Sequence, residues 1–177
     1  MPIRRFAVQL AGIALLACLS GVSAAPPRDD GLKQVEFLIE SGQHARALEN
    51  LEQYLAANPR SARGRFLKAV ILAEQKKTPE AIRAYNELIH EHPDMAEPYN
   101  NLAVLHASLG QYEPARMALE MAIRNKPDFA VAHENLGDVY ARMAAQAYEK
   151  AAQYDKSNKS APLKLKRVTE LLSSARP

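Results

Sequence analysis

The stretch Tyr99 to Pro127, YNNLAVLHASLGQYEPARMALEMAIRNKP, decides the fold. It predicts two short amphipathic helices joined at Leu109-Gly110-Gln111. Working outward, Pro127 is the third of three prolines, with Pro59 and Pro93, each 34 residues from the next. Proline lacks an N–H and clashes with the preceding turn, so it ends one helical unit before the next begins. Ala47, Ala81 and Ala115 recur at the same spacing, as do the bulky Leu51, Tyr85 and Leu119. Small residues in fixed register let helix backbones approach, and the larger ones fill the space between hairpins.

With Tyr99, Leu102, the small Ala103, Gly110 at the turn, Tyr112, Ala115, Leu119, Ala122 and the closing Pro127, the stretch resembles a tetratricopeptide repeat, a helical hairpin of about 34 residues. His106 departs from it, standing where an aromatic is usual. The resemblance implies an all-α fold, a right-handed α-solenoid of hairpins, and a protein-binding scaffold. Its units fall at about 28–59, 62–93 and 96–127, with a shortened fourth at 130–158. In the first, helices over Leu32–Glu40 and Ala45–Ala56 turn at Ser41-Gly42-Gln43. In the second, helices over Ala62–Gln75 and Pro79–Glu91 turn at Lys76-Lys77-Thr78, with Thr78 as the cap and Pro79 in the first position. Gln34 and Lys68 replace the usual leucine, and Tyr54 and Leu88 the usual alanine.

The fourth unit begins in register at His133, Leu136, Gly137 and Tyr140, but the next expected alanine position holds Glu149. A shift of five residues restores Ala144, Tyr148, Ala151 and Asp155, so the turn is what is missing. No Gly, Pro or Asn lies between Asp138 and Asp155, and Leu136, Tyr140, Met143, Ala147, Ala151 and Tyr154 keep helical spacing. One fused helix of roughly 36 Å is therefore expected from about Val131 to about Tyr154, the alternative being a turn squeezed in at Met143-Ala144-Ala145. A fused helix leaves Tyr148, Ala151 and Tyr154 without cover from their own unit. A helix from Pro162 to Ala175, within a capping segment at 159–177, offers Leu165, Val168, Leu171 and Leu172, with Ser160 as its cap. The other occupant of that stripe is a second copy of the chain, a homodimer.

At the other end, Arg4 and Arg5, the apolar run Ala7 to Leu19 and Val22-Ser23-Ala24 form a three-part secretory leader over residues 1–24, followed by a Pro-containing linker at 25–31. Export to a periplasm is expected. Leu15-Leu16-Ala17-Cys18 also resembles a bacterial lipobox, so the alternative is an outer-membrane lipoprotein acylated at Cys18; the two kinds of processing exclude each other. Only that alternative involves a membrane. Removing Arg4 and Arg5 from the 23 basic residues leaves 21 against 20 acidic ones, a near balance that argues against nucleic acid as partner. Lys156, Lys159, Lys164, Lys166 and Arg167 read as a solvated helix face.

No catalytic constellation is legible. His44, His90, His92, His106 and His133 are scattered, and there is no Gly-rich phosphate loop, nucleophile elbow or HExxH pattern, so no enzyme, no metal and no cofactor is expected. In the resembled family the first helix of each hairpin lines a concave face. That places the groove at Glu36 and Ile39, Phe66, Val70 and Ala73, Asn100, Val104 and Ala107, and Glu134 and Asp138. Such a face suits a peptide or helix with an apolar middle and some basic residues; the competing reading packs Phe66 and Val70 between hairpins. The family's two-carboxylate clamp is not expected. Asn101 and Asn135 echo its asparagines, but Leu32, Phe66, Asn100 and Glu134 stand where it needs lysine. The expectation is a non-catalytic adaptor of the bacterial cell envelope, the alternatives being an oligomerisation module or an accessory subunit of an envelope enzyme or assembly machine.

Overall fold

A computed structural model describes residues 30–174. The described residues form eight helices: α1 Asp30–Glu40, α2 His44–Ala57, α3 Ala62–Glu74, α4 Thr78–Glu91, α5 Ala96–Ser108, α6 Tyr112–Asn125, α7 Ala130–Tyr154 and α8 Ser160–Ser174. The leader, Cys18 and most of the linker lie outside this range. None of the described helices is long and apolar enough to cross a membrane.

Each helix packs on its neighbours in sequence, and α1, α3, α5 and α7 also touch one another in order, which α2, α4 and α6 do not. Helices that meet their next-but-one neighbour lie on the shorter arc, so the odd-numbered set forms the inner layer of a curved stack. The hairpins close alike. The amide of the residue after the turn donates five residues back, Gln43 N to Leu38 O at 2.8 Å, Lys77 N to Leu72 O at 2.9 Å and Gln111 N to His106 O at 2.9 Å. This turn needs a left-handed residue, and Gly42 and Gly110 supply it at φ 71° and 72°. In the middle hairpin the same place is taken by Lys76 at φ 59°. Thr78 is not the expected cap: α4 already begins there, and no side chain caps the end, because Lys77 holds the cap position.

The periodic positions are the core. Ala47, Ala81 and Ala115 are fully buried, as are Leu51, Tyr85 and Leu119. Leu88, bulky where alanine is usual, is buried too. Tyr54 fits for a local reason, since Gly31 and Gly64 face it and a Cβ on either would come within about 3.3 Å of its ring.

α7 runs unbroken for 25 residues through Met143-Ala144-Ala145, so the fused helix forms and the squeezed turn does not. It ends in the same reversal that closes the earlier units: Asp155 N to Ala151 O and Asn158 N to Asp155 O repeat the pattern of Lys126 and Phe129. The chain then turns back as α8, which touches α7 alone among the described helices. Asn158, not Ser160, caps α8, its Oδ1 accepting from the amides of Ser160 at 3.0 Å and Ala161 at 2.9 Å. The loop sets the cap two residues earlier than the sequence suggests, with the Asp155 carboxylate holding Ser157 through its amide and its hydroxyl.

Candidate partner-binding groove

The expected groove residues all belong to the inner-layer helices α1, α3, α5 and α7 but have different environments. At the first hairpin the surface is shut. Arg63 reaches across from α3 to Glu36 on α1, its Nη2 at 2.5 Å and Nε at 3.0 Å from Oε1. The same guanidinium lies 5.3 Å from the centroid of Phe66. Phe66 is only 7% exposed and packs at 6.0 Å against the Tyr85 ring, so it belongs to the core and not to the groove. Large apolar rings gain most by leaving water, and Phe66 shares its buried cluster with the small Ala69 and Ala81.

Asn100 is a second correction. It is 5% exposed, held in a run of amides that crosses three helices. Asn135 Nδ2 on α7 donates to Asn100 Oδ1 at 2.9 Å, Asn100 Nδ2 to Asn101 Oδ1 at 3.2 Å, and Asn101 Nδ2 to the Tyr85 hydroxyl at 3.1 Å. Buried polar atoms need such partners. Burial pushes the Tyr85 hydroxyl up to about 12, the bond from Asn101 opposing it only in part, so it stays neutral.

Val70 and Val104 flank a small cleft of about 170 Å³ with Glu74 and Asn101 at its edge. Val104, 48% exposed, also forms one wall of a larger cleft of about 560 Å³. On the α5 side that cleft has Val104, Ala107 and Ser108; Tyr112 and Leu119 of α6 form its floor; Asn135, Asp138 and Arg142 come from α7. Glu134 is exposed and outside its lining. Arg142 is the residue the groove reading of the sequence passes over. It stands 34 residues after Ser108, the last residue of α5, where a repeat would turn. In a fused helix it instead falls four residues beyond Asp138, on the same face.

The stripe at the far end is divided. α8 half-covers Tyr148 and Ala151, with the Lys164 ammonium 5.6 Å from the Tyr148 ring, while Tyr154 is 87% exposed. The histidines do not converge: His106 Nδ1 meets Gln111 Oε1 at 2.6 Å and His133 Nε2 meets the Pro127 carbonyl at 2.9 Å. Among the described residues no group of three His, Cys, Asp or Glu side chains is placed to hold a metal.

Two family models, both described as tetratricopeptide repeat, match residues 32–98 and 67–147. The chain is 29% identical over 135 residues to the Hsp70-Hsp90 organizing protein of Triticum aestivum, covering 73% of this chain and 23% of that one. It thus spans about a quarter of the length of the organizing proteins it matches. Among solved structures it is similar to pilF of Pseudomonas aeruginosa, with TM-score 0.61, 20% identity, and 85% and 77% of the two chains covered. It is also similar to the first TPR of Spaghetti (RPAP3) bound to the HSP90 peptide SRMEEVD, with TM-score 0.59, 16% identity, and 65% and 91% covered.

Proposed function

Because the chain carries tetratricopeptide repeats across residues 32–147, we propose that it is a non-catalytic scaffold that docks a partner protein, as a peptide or a helix, in the cleft between α5 and α7. The observation that carries this reading is Val104: an apolar side chain left 48% exposed on the inner layer, beside a cleft of about 560 Å³ with polar groups at its rim. Three solved structures of similar fold are complexes with an HSP90 peptide, an HSP70 peptide and pHsp70. The residues of this chain do not favour the same ligand. Leu32, Phe66 and Asn100 are buried apolar or amide positions where the family's carboxylate clamp would need lysine.

The place of action follows from residues 1–24, which read as an export leader, so we infer an adaptor of the bacterial cell envelope, periplasmic or anchored through Cys18. A photo-crosslinker at position 104, with mass spectrometry of the adducts from cells, tests both parts. An envelope protein captured there supports them. Wild-type binding by a folded Val104→Glu variant overturns the groove.

A second reading rests on Tyr154, 87% exposed at the end of α7. An exposed tyrosine beside a half-covered Tyr148 suits a contact between two copies. Light scattering decides it, since a monomer at all concentrations removes this reading.

A further inference from the structure

Asp138 and Arg142 are four residues apart on α7, and both line the larger cleft. That spacing ordinarily lets an acid and a base on one helix pair. Here neither has an ion-pair or hydrogen-bond partner among the described residues. Arg116 on α6 makes the contrast, since it is taken by Glu113 and Glu120, as Arg63 is by Glu36. Half-buried and unpaired, Arg142 keeps five donors for a ligand. Asn135, on the same face, uses one N–H on Asn100 and has an N–H and Oδ1 to spare.

The spacing of these groups fits an extended chain. Four helical residues rise about 6 Å. Two residues of an extended segment advance about 6.8 Å and bring their side chains back to the same side. A segment laid along α7 therefore sets residues n and n+2 over Asp138 and Arg142, and turns residue n+1 to the opposite wall, where Val104 and Ala107 stand.

Resting on the groove reading above, we propose that this cleft selects an extended peptide segment in which a basic and an acidic side chain flank one small apolar residue. The basic group meets Asp138, the acidic group meets Arg142, and the apolar side chain packs on Val104 and Ala107. The site belongs to the fused helix and not to the repeat, because a turn after α7's first half would remove Arg142 from this face.

Panning a random peptide library on phage against the full-length chain, and against the Arg142→Glu and Asp138→Lys variants, tests the proposal. Circular dichroism checks that each variant is folded. Wild type is expected to enrich opposite charges two positions apart around Ala or Val. Arg142→Glu should enrich two basic residues at that spacing, and Asp138→Lys two acidic ones. A synthetic wild-type peptide should lose about tenfold or more in affinity on each variant. Peptides that need Val104 but show the same consensus on all three proteins overturn the charge reading and leave the groove standing. Peptides indifferent to Val104→Glu, or no enrichment at all, overturn both.

Discussion

The first two hairpins and the region from α5 to α7 share one repeat but use its interior differently. Between α1 and α4 the interior is filled with large side chains, Leu38, Leu51, Phe66, Ile71, Tyr85 and Leu88, and the groove side is closed by Glu36, Arg63 and Phe66. Between α5 and α7 the second buried cluster is made mostly of alanines, at 103, 115, 118, 122 and 132. A cleft of about 560 Å³ stays open beside them. The backbone plan is common to both, so side-chain volume at equivalent positions decides where a stack of hairpins is solid and where it keeps room for a partner.

The comparison can be broken most decisively by truncating matched leucines. Leu51 is sealed in the first region, and Leu51→Ala is expected to cost about 4 kcal/mol. Leu119, 34 × 2 residues on, is equally buried but lines the cleft, where water can enter the space left behind. Leu119→Ala is expected to cost about 2 kcal/mol less than that. Urea unfolding of the two variants side by side measures it, and equal losses would mean that the two regions are packed alike.

The amide run joins the two regions, and it makes the junction sensitive to alkali. With the Tyr85 hydroxyl pushed up to about 12, the unfolded chain ionises first, near pH 10. The stability that Tyr85 contributes is whole below pH 10 and is lost as pH rises toward 12, on the order of 2 kcal/mol in all. Urea midpoints across that range should fall for the wild type and fall less for Tyr85→Phe. Asn100→Leu sharpens the same point at neutral pH. It strands the amides of Asn135 and Asn101, with an expected loss of about 1 to 2 kcal/mol. Asp138→Asn, which removes a charge with no ion-pair partner among the described residues, is expected to change stability by less than about 0.5 kcal/mol.

Fold was legible in the sequence because the 34-residue ladder repeats at residues that must be buried, and the fused helix was legible because breakers are missing between Asp138 and Asp155. The groove was less so. Periodicity tells which helix faces inward but not how far each side chain is covered, which depends on partners distant in sequence. Phe66 is covered by Arg63 and Tyr85, and Asn100 by Asn135, 35 residues away. Arg142 was missed although the signal was present: once the turn is absent, the face carrying Asp138 continues one more turn.

A last pair of variants bears on the middle hairpin, where both regions meet. Lys76 takes the left-handed conformation that Gly42 and Gly110 take in the flanking turns, at φ 59° against 71° and 72°. A side chain in that conformation costs about 1 to 2 kcal/mol, and glycine gives back part of the gain through the freer unfolded chain. Lys76→Gly is therefore expected to stabilise the protein by about 0.5 to 1 kcal/mol, seen as a rise of a few degrees in Tm. Gly110→Ala should do the reverse by about 1 kcal/mol, although nothing lies within 4 Å of the added methyl, because the strain is in the backbone and not in the packing. If Lys76→Gly were neutral while Gly110→Ala was costly, the middle turn would be held by its neighbours α3 and α4 and not by its own conformation. The solid region would then extend through it to the edge of the cleft.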